Sequence, residues 1–125
     1  MSLTSFLEQK VFAVVGVSAD ASKYGSKVYN HLKKLGDKTV FGVNPRLPEL
    51  NGEKIFASLA ECPVVPDVVS VIVPPKVGLS IVEECKTLGI NKIWFQPGAE
   101  SDEAIARCDE AGIACVHHQC ILLQA

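Results

Sequence analysis

The chain has 125 residues, 48% of them apolar and 21% charged, with a formal net charge of −2. That length suits one hydrophobic core and a single domain spanning 1–125, and the composition excludes disordered, collagenous and low-complexity classes. The slightly acidic balance argues against nucleic acid as a partner, and no apolar run is long enough to read as a membrane-spanning helix.

Val11-Phe12-Ala13-Val14-Val15-Gly16 is a short apolar run ending in glycine, the pattern of a strand buried on both faces. From Ser26 the period changes. Val28, Leu32 and Leu35 recur at i, i+4 and i+7 with lysines opposite, which predicts a helix. Gly36 ends it, since glycine readily takes the left-handed position after a helix. Thr39-Val40-Phe41-Gly42-Val43 reads as a second buried strand, halted by Asn44-Pro45. An irregular stretch with Pro48 and Gly52 follows, with one helical turn around Ala57-Ser58-Leu59-Ala60.

Val68-Val69-Ser70-Val71-Ile72-Val73 is the third strand, stopped by Pro74-Pro75. Gly78, Val82, Cys85 and Gly89 then fall at near-helical spacing, and Gly89 closes that helix. Lys92-Ile93-Trp94-Phe95 is the fourth strand. Ala104, Cys108 and Ala111 mark a helix capped by Ser101 and ended by Gly112, and Ile113-Ala114-Cys115-Val116 is the fifth strand. Strands alternating with helices at this spacing predict a doubly wound, Rossmann-like α/β domain. Its sheet is five-stranded and parallel with helices on both faces, in the expected order 3-2-1-4-5.

In such a sheet, ligands bind beyond the carboxyl ends of the strands. The segment from Gly16 through Val17, Ser18, Lys23 and Tyr24 to Gly25 joins a strand to a helix start. Small residues there let a backbone approach a ligand, and helix N–H groups favour an anion. An ordinary polar loop has the same composition. It is neither GxGxxG nor a Walker loop.

The second strand ends in Val43-Asn44-Pro45-Arg46 without the carboxylate that holds the ribose of NAD. Arg46 instead suits an adenosine with an extra phosphate, as in coenzyme A or NADP; a solvated loop arginine is the plain alternative. Charge is uneven in the same sense. Residues 1–62 hold eight Lys/Arg against six Asp/Glu, and residues 63–125 hold four against eight.

Gly16-Val17-Ser18, Lys23-Tyr24-Gly25-Ser26, Val43-Asn44-Pro45, Gly52, Ser58-Leu59 and Trp94-Phe95-Gln96-Pro97-Gly98 together resemble the CoA-binding domain family. These are small Rossmann-like proteins similar to the amino-terminal domain of the succinyl-CoA synthetase alpha subunit. The resemblance runs from Val11 to Cys120. It implies coenzyme A, or an acyl-CoA, lying across the strand ends. Phosphates would meet the first glycine loop, adenosine would lie near Asn44, Pro45 and Arg46, and Val73, Pro74, Pro75, Gln96 and Gly98 would border the nucleotide. Many stand-alone members carry arginine-rich sequence where this chain has Pro74-Pro75. Lys23 stands where relatives often have arginine, which keeps the charge and loses the bidentate fork.

No catalytic set is visible. The phosphorylated histidine of succinyl-CoA synthetase belongs to a second domain, so His117 and His118 read as residues at the end of the last strand. Nothing around them suggests a triad or a metal. Cys120 matches a cysteine near the end of such domains and reads as a buried thiol. Cys85, Cys108 and Cys115 read as core. Five cysteines without CxxC spacing, in a chain with no evident signal peptide, read as reduced thiols of a cytoplasmic protein.

Three functions are compatible with this pattern. The first is a CoA-binding module, alone, as a homo-oligomer or with a partner enzyme subunit. The second is a CoA-ligase or acyltransferase component completed by another chain. The third is an NAD(P)-binding redox-sensing domain.

Overall fold

A computed structural model describes residues 3–124. In chain order the elements are α1 (Leu3–Leu7), β1 (Val11–Val15), α2 (Tyr24–Lys34), β2 (Thr39–Val43), β3 (Glu49–Leu50) and β4 (Glu53–Lys54). A 3₁₀ turn (Leu59–Glu61), β5 (Val68–Val71), α3 (Pro75–Leu88), β6 (Lys92–Phe95), α4 (Asp102–Ala111), β7 (Ala114–Val116) and α5 (Ile121–Gln124) complete it.

β1 is apolar throughout because both its faces are covered. Phe12 and Val14 turn to one side, where Phe6 of α1, Val28 and Leu32 of α2, Trp94 of β6 and Ile121 of α5 meet them. Ala13 and Val15 turn to the other, against Val82 and Cys85 of α3 and Cys108 of α4. The two-residue period of a strand thus builds two cores from one sequence run. Trp94 is wholly buried, and its Nε1–H donates to the Gln119 carbonyl at 2.8 Å.

The main sheet is parallel and five-stranded, in the order β2-β1-β5-β6-β7. This confirms the doubly wound Rossmann-like class and corrects the expected strand order: the third main strand lies beside the first, not beside the second. The reason is that the outer edge of β2 is already occupied. Phe56 bridges Val43 there in parallel, its N–H donating to the Gly42 carbonyl and its carbonyl accepting from the Asn44 N–H, both at 2.9 Å. The chain therefore returns to the free side of β1. The Asp67 N–H donates to the Val11 carbonyl at 2.8 Å, and the Asp67 carboxylate accepts from the Val11 N–H at 3.0 Å.

Other differences are local. The stretch read as irregular holds the β3–β4 hairpin, with Asn51 and Gly52 at φ of 53° and 80°. Two successive positive φ values make the tight two-residue connection that matches strand twist. β5 stops at Val71, because β1 turns away at Gly16 and leaves Ile72 and Val73 without a full ladder. α3 starts at Pro75, whose fixed φ suits a first helical position. α1 and α5 lie outside the pattern read from sequence. The glycines expected to end helices, Gly36, Gly89 and Gly112, hold φ of 78°, 77° and 73°. Ser101 Oγ caps α4 by accepting from the Ala104 N–H at 3.1 Å. No helix of the described residues is long and apolar enough to cross a membrane.

Candidate functional site

In the observed order, strand direction of travel reverses between β1 and β5, and the crevice above that point is where ligands of doubly wound sheets sit. Gly16 ends β1 at φ 105°. A Cβ placed on it would stand 2.5 Å from the Ile72 carbonyl oxygen. The close approach that demands glycine is therefore made by the chain's own segment after β5. Gly25 answers it from α2, since a Cβ there would stand 1.9 Å from the Gly16 carbonyl oxygen. These two glycines let the start of α2 press against the end of β1.

Between them, Val17 is fully buried in the α2-side core. Ser18 Oγ accepts from the Asp20 N–H at 3.0 Å. The Asp20 carboxylate in turn accepts from the Ser22 hydroxyl at 2.6 Å and the Ser22 N–H at 2.9 Å. Those two contacts, the hydroxyl first, hold the Asp20 carboxyl below the ordinary range. Lys23 precedes the helix, and no side chain caps α2. The first-turn N–H groups of α2 therefore have no side-chain acceptor at the cap, and a helix start of this kind carries the positive end of the helix dipole.

Asn44 braces the neighbouring loop. Its Nδ2 donates to the Val17 carbonyl at 2.8 Å, and its Oδ1 accepts from the Arg46 N–H at 2.8 Å. Arg46 is exposed, and none of the ion pairs among the described residues uses it.

Two clefts open at this edge. One, of about 280 Å³, is bordered by Gly16, Asn44, Pro45, Ser58, Val73 and, from α3, Val77, Ile81 and Glu84. The other, of about 320 Å³, is bordered by Tyr24, Ile72, Val73, Pro74, Gln96, Gly98 and Cys120. Val73 borders both. Gln96 is buried, and its side chain is engaged at both ends. Oε1 accepts from the Ile121 N–H at 2.7 Å, and Nε2 donates to Cys120 Sγ at 3.3 Å. The Gly98 N–H donates to the Glu100 carboxylate at 2.9 Å.

Of the residues singled out in the sequence, the structure thus gathers Gly16, Asn44, Pro45 and Val73 around one cleft, and Tyr24, Val73, Pro74, Gln96 and Gly98 around the next. Val17, Ser18, Lys23, Gly25, Arg46 and Pro75 border neither. Sequence reasoning passed over Ile72, Val77, Ile81 and Glu84. The last three fall at i, i+4 and i+7 along α3, and that row was readable as one helix face.

The remaining reactive side chains lie apart. Burial pushes the Cys85 thiol up to about 12, and burial, then Glu84 and Glu61, push Cys62 up to about 11. Neither is poised as a thiolate. His117 and His118 face each other through their Nδ1 atoms at 2.7 Å, and His118 Nε2 lies 3.7 Å from Glu100 Oε1. Among the described residues no group of three or more His, Cys, Asp or Glu is arranged to hold a metal ion.

Comparison with known proteins fits this geometry. The model of the CoA binding domain matches residues 10–125. The chain is 32% identical, over 91 residues, to the alpha subunit of an ADP-forming acetate–CoA ligase II from Pyrococcus furiosus. That match covers 73% of this chain and 20% of the subunit, so the chain spans about a fifth of the length of this curated relative. A conserved hypothetical protein from Pyrococcus furiosus superposes with a TM-score of 0.88 at 38% identity, over 93% of this chain and 99% of that one. The dinucleotide-forming acetyl-coenzyme A synthetase 1 of Candidatus Korarchaeum cryptofilum, in complex with phosphate and ADP, superposes with a TM-score of 0.79 at 27% identity. There the coverage is 91% of this chain and 26% of the synthetase.

Proposed function

We propose that this chain, which belongs to the CoA-binding domain family, binds coenzyme A or a short acyl-CoA across the carboxyl edge of its sheet. The carrying observation is that two clefts meet at Val73 beside an uncapped helix start. A ligand with a base at one end, a diphosphate in the middle and an extended arm at the other matches that layout. The adenine enters the cleft between Pro45 and α3. The diphosphate lies over the first turn of α2, with Ser18, Lys23 and Gly25 forming its surroundings. The pantetheine arm runs past Tyr24 and Pro74 toward Gln96, Gly98 and Cys120. Arg46, next to Pro45, takes the phosphate monoester of the adenosine.

The module brings no nucleophile–base set of its own. It serves as a carrier, a sensor or the nucleotide-holding part of a larger assembly, and its unpaired cysteines suit the reducing cytoplasm. A ligase component working with a partner chain is the second reading, favoured by the likeness to a ligase alpha subunit. An NAD-binding role has no carboxylate at the end of β2 to support it.

Calorimetric titration with CoA, acetyl-CoA, dephospho-CoA, NAD and NADP tests the reading. CoA binding tighter than dephospho-CoA, with NAD giving no heat, is the expected result. Absence of heat with both CoA and acetyl-CoA overturns it.

A further inference from the structure

We infer that Glu84 is the specificity residue of the adenine cleft, accepting a hydrogen bond from the exocyclic amino group of the base. The inference rests on the proposed CoA site and names the group within it that reads the base. The walls of that cleft, a slot of about 280 Å³, are largely apolar, with Val43, Pro45, Val73, Val77 and Ile81 among them. Such a slot fits a flat heterocycle and excludes its water.

The polar side chains on the slot, Asn44, Ser58, Ser80 and Glu84, differ in what they have left to offer. The Ser58 hydroxyl makes no cap hydrogen bond, but a hydroxyl both donates and accepts, so it does not tell an amino group from a carbonyl oxygen. The Asn44 amide is engaged at both ends, by the Val17 carbonyl and the Arg46 N–H. The Ser80 hydroxyl proton is directed to the Val77 carbonyl at 2.7 Å. Glu84 is half-buried, and its Oε2 lies at the long distance of 3.4 Å from the Ala60 N–H. Its other oxygen has no partner among the described residues' hydrogen bonds. An ionised carboxylate only accepts, so a base edge facing Glu84 has to present a donor. Adenine presents its amino group, whereas hypoxanthine presents a carbonyl oxygen at the same ring position.

The position along the ligand agrees. Asn44 and Pro45 border the cleft, and Arg46 follows them just outside it, where the proposed site puts ribose and its phosphate. Glu84, on α3, borders the slot beside the 3₁₀ turn that carries Ala60. The carboxylate is thereby set against the base rather than against the phosphates, which it would repel.

The test is calorimetry of the wild-type chain, Glu84→Gln and Glu84→Ala, each with CoA and with its deaminated, hypoxanthine-bearing analogue. Thermal melting confirms that the variants are folded. Gln keeps an acceptor for the Ala60 N–H and adds a donor, so it also serves as the gentler replacement. The wild type should prefer CoA over the analogue by about tenfold or more. Glu84→Gln should bring the two affinities within about threefold, and Glu84→Ala should weaken CoA while leaving the analogue within about twofold of its wild-type affinity.

A wild type that binds both ligands equally overturns the assignment. So does a preference that survives in both variants. Equal weakening of both ligands by Glu84→Gln also overturns it, since that is the mark of a carboxylate reading the ribose. No binding of CoA by the wild type is a separate outcome, and it removes the proposed function together with this assignment.

Discussion

Replacing Gly25 with alanine probes the joint between fold and site. The added methyl carbon would stand 1.9 Å from the Gly16 carbonyl oxygen, with the Gly16 carbonyl carbon at 2.9 Å. Relaxing that to an ordinary C···O separation of about 3.3 Å requires a displacement of roughly 1.4 Å. Backbone atoms cannot rotate aside as a side-chain tip does, so either α2 lifts or the Gly16 turn opens. Overpacking of this kind costs about 3 kcal/mol, at the upper end of its usual range. Alanine returns about 1 kcal/mol through its better helix propensity. The net loss is about 2 kcal/mol, which for a domain of this size lowers Tm by roughly 8 °C.

The same displacement moves the first-turn N–H groups of α2, so CoA affinity should fall at least tenfold. Gly36→Ala is the control. Nothing lies within 4 Å of a Cβ there, and the φ of 78° alone is strained, at a cost of about 1–2 kcal/mol without effect on the ligand. Thermal melts followed by circular dichroism, with calorimetry on the folded variants, read both quantities. A Gly25→Ala protein as stable as its parent and binding CoA equally well would refute the packing argument.

Arg46→Ala should weaken CoA about ten- to a hundredfold, the worth of roughly 1.5–3 kcal/mol for a charge-assisted contact, while leaving dephospho-CoA unchanged. Added salt should shrink the difference, and equal losses for both ligands would move Arg46 away from the phosphate monoester. The Cys85 thiol is raised by burial from 9.0 to about 12, so in the unfolded chain it ionises first. Its contribution to stability is therefore complete below pH 9 and is lost as pH rises toward 12, at about 1.4 kcal/mol per pH unit. Melting curves between pH 7 and pH 11 should show a shallower alkaline decline in Cys85→Ala than in the parent, and an unchanged slope would show that other groups carry the decline.

The parallel α/β class was legible because β1, β2 and β6 are short apolar runs with covered faces, and because α2, α3 and α4 are each followed by a glycine whose φ is positive. Strand order was not legible, because it turns on a single-residue bridge. Phe56 occupies the outer edge of β2 without belonging to any run long enough to read as a strand. The β3–β4 hairpin left a sign, Asn51-Gly52, but strands of two residues carry no period. α1 and α5 are likewise too short to show a helical repeat. They fold because Phe6 and Ile121 have a core face to join.

The site was legible as a place and less so as a set of contacts, for a physical reason visible in Asn44 and Gln96. A loop at a sheet's carboxyl edge needs polar side chains to satisfy its own backbone before it can offer any to a ligand. Asn44 spends its amide on Val17 and Arg46, and Gln96 spends its amide on Ile121 and Cys120. Ser18 and Asp20 close on the loop they belong to. Side chains that brace the crevice and side chains that touch a ligand are the same residue types at the same sequence positions, so only the bonding pattern separates them. The crevice is left with backbone N–H groups at α2, apolar walls shared through Val73, and a small number of uncommitted charges. Among those charges are the Arg46 cation and the Glu84 acceptor, both at the adenosine end of the proposed site. Selectivity should therefore concentrate in these two side chains, whereas changes at Asn44 or Gln96 should act through loop order and stability.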